Sequence, residues 1–168
     1  LWSKRQSLLA LATVVVIGCG AALYYHQTYF FNPLTFQNNN VVYLPFRWYK
    51  NPMQMQVWGT ETPSSASVIY TTFDKTQIRF VLKELESGQV VDNSKFKSAD
   101  STFAHITIRS GSRPDSPIVQ DAFMTGQNFD VAQIYTQVPG RAFPEYITLS
   151  PTLKKWVLSA LEKGKPIH

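Results

Sequence analysis

The stretch DKTQIRFVLKELESG, residues 74–88, has the signature of one amphipathic helix with both ends marked. Asp74 is a good N-cap, Ile78, Val81, Leu82 and Leu85 recur at i, i+3, i+4 and i+7, and Gly88 stands where a helix stops. The apolar stripe predicts a core-facing side. Lys75, Arg79, Lys83, Glu84 and Glu86 form the opposite, solvated face. A second segment, SPTLKKWVLSALEKG at 150–164, repeats the plan with Ser150 as cap, Pro151 at the first helical position and Gly164 beyond the end. Its inward set is Leu153, Trp156, Val157, Ala160 and Leu161. The two segments align without gaps, and each follows a short β-type run, Val68 to Thr71 and Tyr146 to Leu149. Amphipathic helix chemistry alone accounts for such a match, so a weak strand-helix repeat is the most that it supports.

Outward from these helices the pattern changes to period two. Met53 to Trp58 alternates strictly, with Met53, Met55 and Val57 on one side, and Thr102 to Arg109 alternates with Ala104, Ile106 and Ile108 inward. Ser67 to Thr71, Ile118 to Met124 and Val131 to Thr136 are further strands, and Val41 to Phe46 is a short apolar run. Thr62 to Ala66, Gly111 to Pro117 and Gln137 to Pro144 carry the Gly, Pro and Ser of connecting turns. Five to seven strands with two helices predict an α+β domain, an antiparallel sheet packed on one face by both helices.

Near the N-terminus, Leu8 to Tyr25 (LLALATVVVIGCGAALYY) is uncharged over 18 residues. As a helix it would reach about 27 Å, close to the hydrocarbon thickness of a bilayer. Lys4 and Arg5 precede it, no Lys or Arg follows until Arg47, and Trp2 on one side and Tyr24, Tyr25, Tyr29, Phe30 and Phe31 on the other suit the interfaces. This predicts residues 1–7 in the cytoplasm, a signal anchor at 8–25, a linker at 26–39 and an extracytoplasmic domain at 40–168. A competing reading is a lipoprotein signal, because Val16-Ile17-Gly18-Cys19 resembles a lipobox and would make Cys19 a lipid anchor. Against it, the apolar run continues to Tyr25 where a lipoprotein opens a polar linker. Ordinary cleavage is the third route, and all three export the remainder. The chain opens on Leu1 rather than Met, which leaves room for residues upstream.

Composition limits the function. The chain has 168 residues, 44% hydrophobic, 14% aromatic and 16% charged, enough for one packed domain beside the membrane segment. A net charge of +5 with scattered cations does not argue for nucleic acid, and one cysteine excludes an internal disulfide. The three histidines, His26, His105 and His168, have no metal-ligand spacing, Asp115, Asp121 and Asp130 match no calcium loop, and no cofactor motif is present. Ser94-Lys95-Phe96-Lys97 matches S-x-x-K but lacks the companion S-D-N and K-T-G elements. No catalytic set emerges.

The ligand-binding candidates are His105, Arg109 and Arg113. His105 shares a strand face with Phe103, Thr107 and Arg109; His105 and Arg109 would stand about 13 Å apart along it. Arg113 lies in the Gly111 to Pro117 loop, which holds backbone amides suited to an anion. Phe46, Trp48, Tyr49 and Trp58, beside Arg47 and Lys50, fit a stacking or carbohydrate surface, a bilayer contact or a sheet core. Lys154, Lys155, Lys163 and Lys165 make the C-terminal end basic, which suits a helix C-terminus or anionic headgroups.

The overall plan resembles small exported domains of Gram-positive bacteria that have no assigned activity: a short basic N-terminus, one span, a linker, and the run Pro144 to Pro151 leading into an amphipathic helix. That resemblance implies an envelope setting and transfers no functional residue. The expectation is a membrane-anchored module that contacts lipid through its N-terminal segment and binds a protein partner or an envelope polymer. A ligand-binding lipoprotein or small envelope hydrolase is the alternative.

Overall fold

The computed structural model describes residues 3–32, 44–59, 67–91, 104–125, 130–135 and 145–167. Of the short apolar run Val41 to Phe46 only Leu44, Pro45 and Phe46 are described, Phe46 opening a 3-10 turn, while the S-x-x-K segment, Phe103, His168 and the turns at 62–66 and 137–144 lie outside the described residues.

Helix α1, Lys4–Thr28, is followed by strands β1, Met53–Gly59, and β2, Val68–Thr72, and then by α2, Lys75–Ser87. The meander β3, Ala104–Ser110, β4, Ile118–Thr125, β5, Val131–Tyr135, and β6, Glu145–Thr148, leads into α3, Pro151–Glu162, and the two-residue β7, Lys165–Pro166. All pairings are antiparallel and the sheet order is β6-β5-β4-β3-β1-β2-β7. The fold is the α+β sheet that the periodicities predict.

Strand alternation decides the two faces. Met55 stands opposite Thr72 and Ile108, and Val57 opposite Tyr70 and Ile106, so these side chains share the inner face. Met53, Met55, Val57, Ala104, Ile106, Ile108, Ala122, Met124, Ala132, Ile134 and Ile147 are all buried. Against them α2 sets Ile78, Val81, Leu82 and Leu85, and α3 sets Leu153, Val157, Ala160 and Leu161. Each large side chain so buried contributes about 1.5–3 kcal/mol. Both caps form: the Asp74 carboxylate accepts from Thr76 N–H at 2.7 Å, and Ser150 Oγ accepts from Leu153 N–H at 3.0 Å while its hydroxyl donates to Glu84. Trp156 is only partly buried, with its ring against Tyr70 and Phe80.

Two residues of the expected solvated face of α2 have structural partners. Arg79 Nη2 donates to Phe30 O at 2.8 Å with its guanidinium over the Phe30 ring, and Glu84 accepts from Ser150. Phe30 is itself the main departure from the linker expected at 26–39. α1 runs on to Thr28, Tyr29 bridges Lys50, Phe30 N–H donates to Tyr49 O at 2.7 Å, and Phe30 is 2% exposed. Asn51 completes this joint: its N–H donates to Thr28 O at 2.9 Å, and Nδ2 donates to the carbonyls of Gln27 at 3.1 Å and Tyr29 at 3.0 Å. Carbonyls at the last turn of a helix have no partner inside it, and Asn51 supplies one from 22 to 24 residues away. Residues 33–39 lie outside the described part.

α1 is long and apolar enough to cross a membrane: it has 25 residues, and none of them is buried. It would reach about 37 Å. Its polar groups are satisfied locally, with a Ser3–Gln6 capping box at the start and Thr13 Oγ1 donating to Leu9 O at 2.9 Å. Cys19 sits exposed within it.

Candidate functional site

The outer face of the sheet, opposite the helices, carries His105, Arg109 and Trp58 of the sequence candidates. Cross-strand register places Trp58, His105, Phe123, Gln133 and Tyr146 in one row over β1, β3, β4, β5 and β6. The adjacent row is Gln56, Thr107, Asp121 and Tyr135. Successive members of a row lie about 4.8 Å apart in the pairing direction. Trp58 is 36% and Tyr135 41% exposed, and His105, Phe123, Gln133 and Tyr146 are half-buried.

At the centre, the His105 ring stacks on Phe123 with centroids 3.9 Å apart and planes 11° apart, and Phe123 meets Tyr135 edge-on. His105 Nε2 contacts Asp121 Oδ1. The Thr107 hydroxyl, 3% exposed, donates to the same carboxylate oxygen at 2.9 Å and lies 3.1 Å from His105 Nε2. The imidazole is thus held in plane by Phe123 and in azimuth by Asp121 and Thr107. This makes a fixed polar spot flanked by aromatic rings, with amides of Gln56 and Gln133 in the same two rows.

Of the three sequence candidates, only His105 belongs to this cluster. Arg109 shares its face but turns to the hairpin loop, where Nη1 donates to Ser116 O at 3.0 Å. Arg113 is exposed in that loop, and its backbone N–H donates to Ser116 Oγ at 3.1 Å. Ser116 thereby occupies the amide that an anion would have used. Gly111 closes the loop at φ +134°, a conformation that favours glycine, and a Cβ there would lie 2.2 Å from Ser116 Oγ.

Thr107 was already on the His105 face by alternation, and Asp121 and Phe123 are the partners that sequence reasoning missed. The signal lay in the hairpin, but counting back from its loop misleads. Ser110 N–H donates to Pro117 O and Arg109 pairs with Ile118, a register that would set His105 opposite Ala122 on the other face. A bulge between Ile108 and Arg109 shifts the pairing by one residue, so that Val119 and Gln120 both turn inward and His105 meets Phe123.

The aromatic group around residues 46–58 is divided among the readings open to it. Tyr49 is fully buried, and burial pushes its phenol well above the ordinary range, the Leu44 backbone pulling slightly the other way. Phe46 packs on Tyr29 with centroids 5.3 Å apart, Trp48 is exposed, and Trp58 joins the outer face. Lys154 pairs with Asp130, and Lys165 lies on the edge strand β7. Among the described residues, no three His, Cys, Asp or Glu side chains converge as metal ligands.

Fold and surface together define an α+β domain joined to an apolar N-terminal helix. Compared with models of protein families, with curated proteins and with solved structures, the chain matches none.

Proposed function

We propose that this chain is a membrane-anchored module of a bacterial envelope, with its domain outside the cytoplasmic membrane and the outer sheet face binding a neutral polysaccharide. α1 supports the anchor, and the excess of Lys4 and Arg5 over the residues that follow the span supports an N-terminus inside. The helix continues unbroken through Cys19 to Thr28, which favours a signal anchor over a lipoprotein.

The observation that carries the binding reading is the Trp58–His105–Phe123 row. The exposed rings of Trp58 and Tyr135 can stack on the C–H faces of sugar rings, the stacked His105–Phe123 pair presents its edges between them, and amides and carboxylates bond sugar hydroxyls. Strands about 4.8 Å apart space the side chains of each row regularly, which suits a ligand made of repeating units. The surface also suits an uncharged polymer: in the two rows the one carboxylate, Asp121, is taken up by contacts with His105 and Thr107.

The test is cosedimentation of the full chain, in detergent, with insoluble chitin as a neutral β-linked probe. Wild type should sediment, and Trp58→Ala or Phe123→Ala should weaken binding about tenfold or more, as loss of an aromatic anchor does. No sedimentation of wild type, or undiminished binding by Trp58→Ala, would refute the reading. The His105–Asp121 contact favours a hydrolase as the second reading: release of soluble sugar by wild type, lost in His105→Ala, would replace binding with hydrolysis.

A further inference from the structure

The joint between α1 and the domain holds a second set of groups that the sheet face does not use. Phe46, Arg47 and Trp48 form a 3-10 turn, and Lys50 follows it. Three contacts pin this turn to the end of α1: the Tyr29–Phe46 ring contact, the Tyr29–Lys50 bridge and the hydrogen bond from Asn51 N–H to Thr28 O. The Lys50 backbone is held from the other side, its N–H donating to Ser110 Oγ at 3.0 Å. Trp48 is nevertheless 47% exposed, Arg47 and Lys50 are exposed, and neither cation has an ion pair among the described residues. On the flank where His26, Gln27 and Asn51 line a cavity, Phe73, 51% exposed, and Lys75 line it too. The carboxylate beside them, Asp74, is turned to its own helix, accepting from Thr76 N–H and Gln77 Nε2.

Depth follows from helix geometry. If the apolar run ends at Tyr25, Tyr29 lies about 6 Å further along the axis, within the headgroup layer that adds roughly 5–7 Å to each side of the hydrocarbon. Side chains held at Tyr29 therefore sit at headgroup level. An indole is suited to that layer, and guanidinium and ammonium groups are suited to phosphate.

We infer that Arg47, Trp48 and Lys50, with Lys75 on the other flank, form a lipid-headgroup contact that seats the domain on an anionic bilayer at a fixed angle to α1. The inference rests on the reading of α1 as a membrane span. It goes beyond anchorage, because the contact belongs to the folded domain and orients the outer sheet face.

The experiment uses the full chain in phosphatidylcholine vesicles with and without phosphatidylglycerol, carrying a doxyl quencher either near the headgroup or near the chain end. In a Trp2→Phe background, which removes the indole expected at the opposite interface, the chain should show stronger quenching by the shallow label, and Trp48→Phe, an exposed substitution, should lose that component. Arg47→Glu with Lys50→Glu should lose it in the anionic vesicles. Cys19, the single cysteine, reports the span separately through protection from a water-soluble maleimide. Protected Cys19 with quenching unchanged by Trp48→Phe overturns the headgroup contact and leaves the span standing. Undiminished quenching of the charge-reversed variant in anionic vesicles overturns the anionic partner. Labelled Cys19 overturns the span, and the inference with it.

Discussion

Replacing Asn51 by alanine and by aspartate separates two things that its side chain does at the end of α1. Nδ2 donates to Tyr29 O at 3.0 Å and Gln27 O at 3.1 Å, with a longer contact of 3.4 Å to His26 O. Two good bonds at about 1 kcal/mol each make Asn51→Ala cost about 2 kcal/mol. For a chain of this size that corresponds to a fall of about 4–8 °C in melting temperature. Asn51→Asp keeps the shape but replaces the donor by an acceptor and brings negative charge to the negative end of the helix dipole. It should cost about 0.3–1 kcal/mol more than alanine at neutral pH. The sign with pH is also set. Facing carbonyls, the introduced carboxyl has a folded pKa above its unfolded value of about 3.9, so the native state binds the proton more tightly and stability falls as pH rises through that window. Asn51→Ala adds no such slope. The assay is thermal unfolding of the full chain in detergent, followed by circular dichroism between about pH 4 and pH 7. The reasoning fails if Asn51→Ala melts within about 1 °C of wild type, a shift too small for two bonds. It also fails if Asn51→Asp is the more stable variant at neutral pH.

Ser150→Ala removes the α3 cap and the hydroxyl that Glu84 accepts, and should cost about 1–2 kcal/mol in urea titration, while Ser150→Thr recovers most of it. Gly88 has φ −63°, so alanine meets no backbone penalty there. A Cβ would lie 2.7 Å from Thr148 O and 2.8 Å from Ile147 Cδ1, and Gly88→Ala should lose about 1–3 kcal/mol in a thermal melt through that close approach alone. Burial raises the Glu86 carboxyl above 4.5 against the opposing pull of Lys83, so the native state favours the protonated form and loses stability as pH rises from that value. Glu86→Gln should lack that loss, making the two proteins diverge in favour of the variant as urea melts move from about pH 4 to about pH 7.

Periodicity and end signals were sufficient for the elements that carry their own boundaries. The helices at 75–87 and 151–162 are written in Asp74, Ser150 and two apolar stripes, because a cap bonds within three residues and a stripe repeats every 3.6. β1 follows from strict alternation, and the membrane-length helix follows from hydropathy alone. The short β7 was not legible: two residues, one a proline, have no pattern, and they become a strand only because β2 offers Val68 and Ile69 as partners.

The candidate sites depend on contacts that no local pattern encodes. Asp121 meets His105 only because one bulge turns the rest of β4 over, and a slip of one residue would have sent its carboxylate into the core. Phe30 and Asn51 lie in stretches with neither alternation nor helical period. What makes one a core residue and the other a helix cap is their mutual approach across some twenty residues, closed by Arg79 from a third segment. Likewise Arg47 and Lys50 stand far beyond the apolar run in sequence, and tertiary packing alone brings them to the end of α1. Sequence by itself determined the longer helices and strands and the membrane-length apolar helix, since those depend on neighbours along the chain. Which side chains meet was decided by register and docking, which depend on how distant segments share a single core.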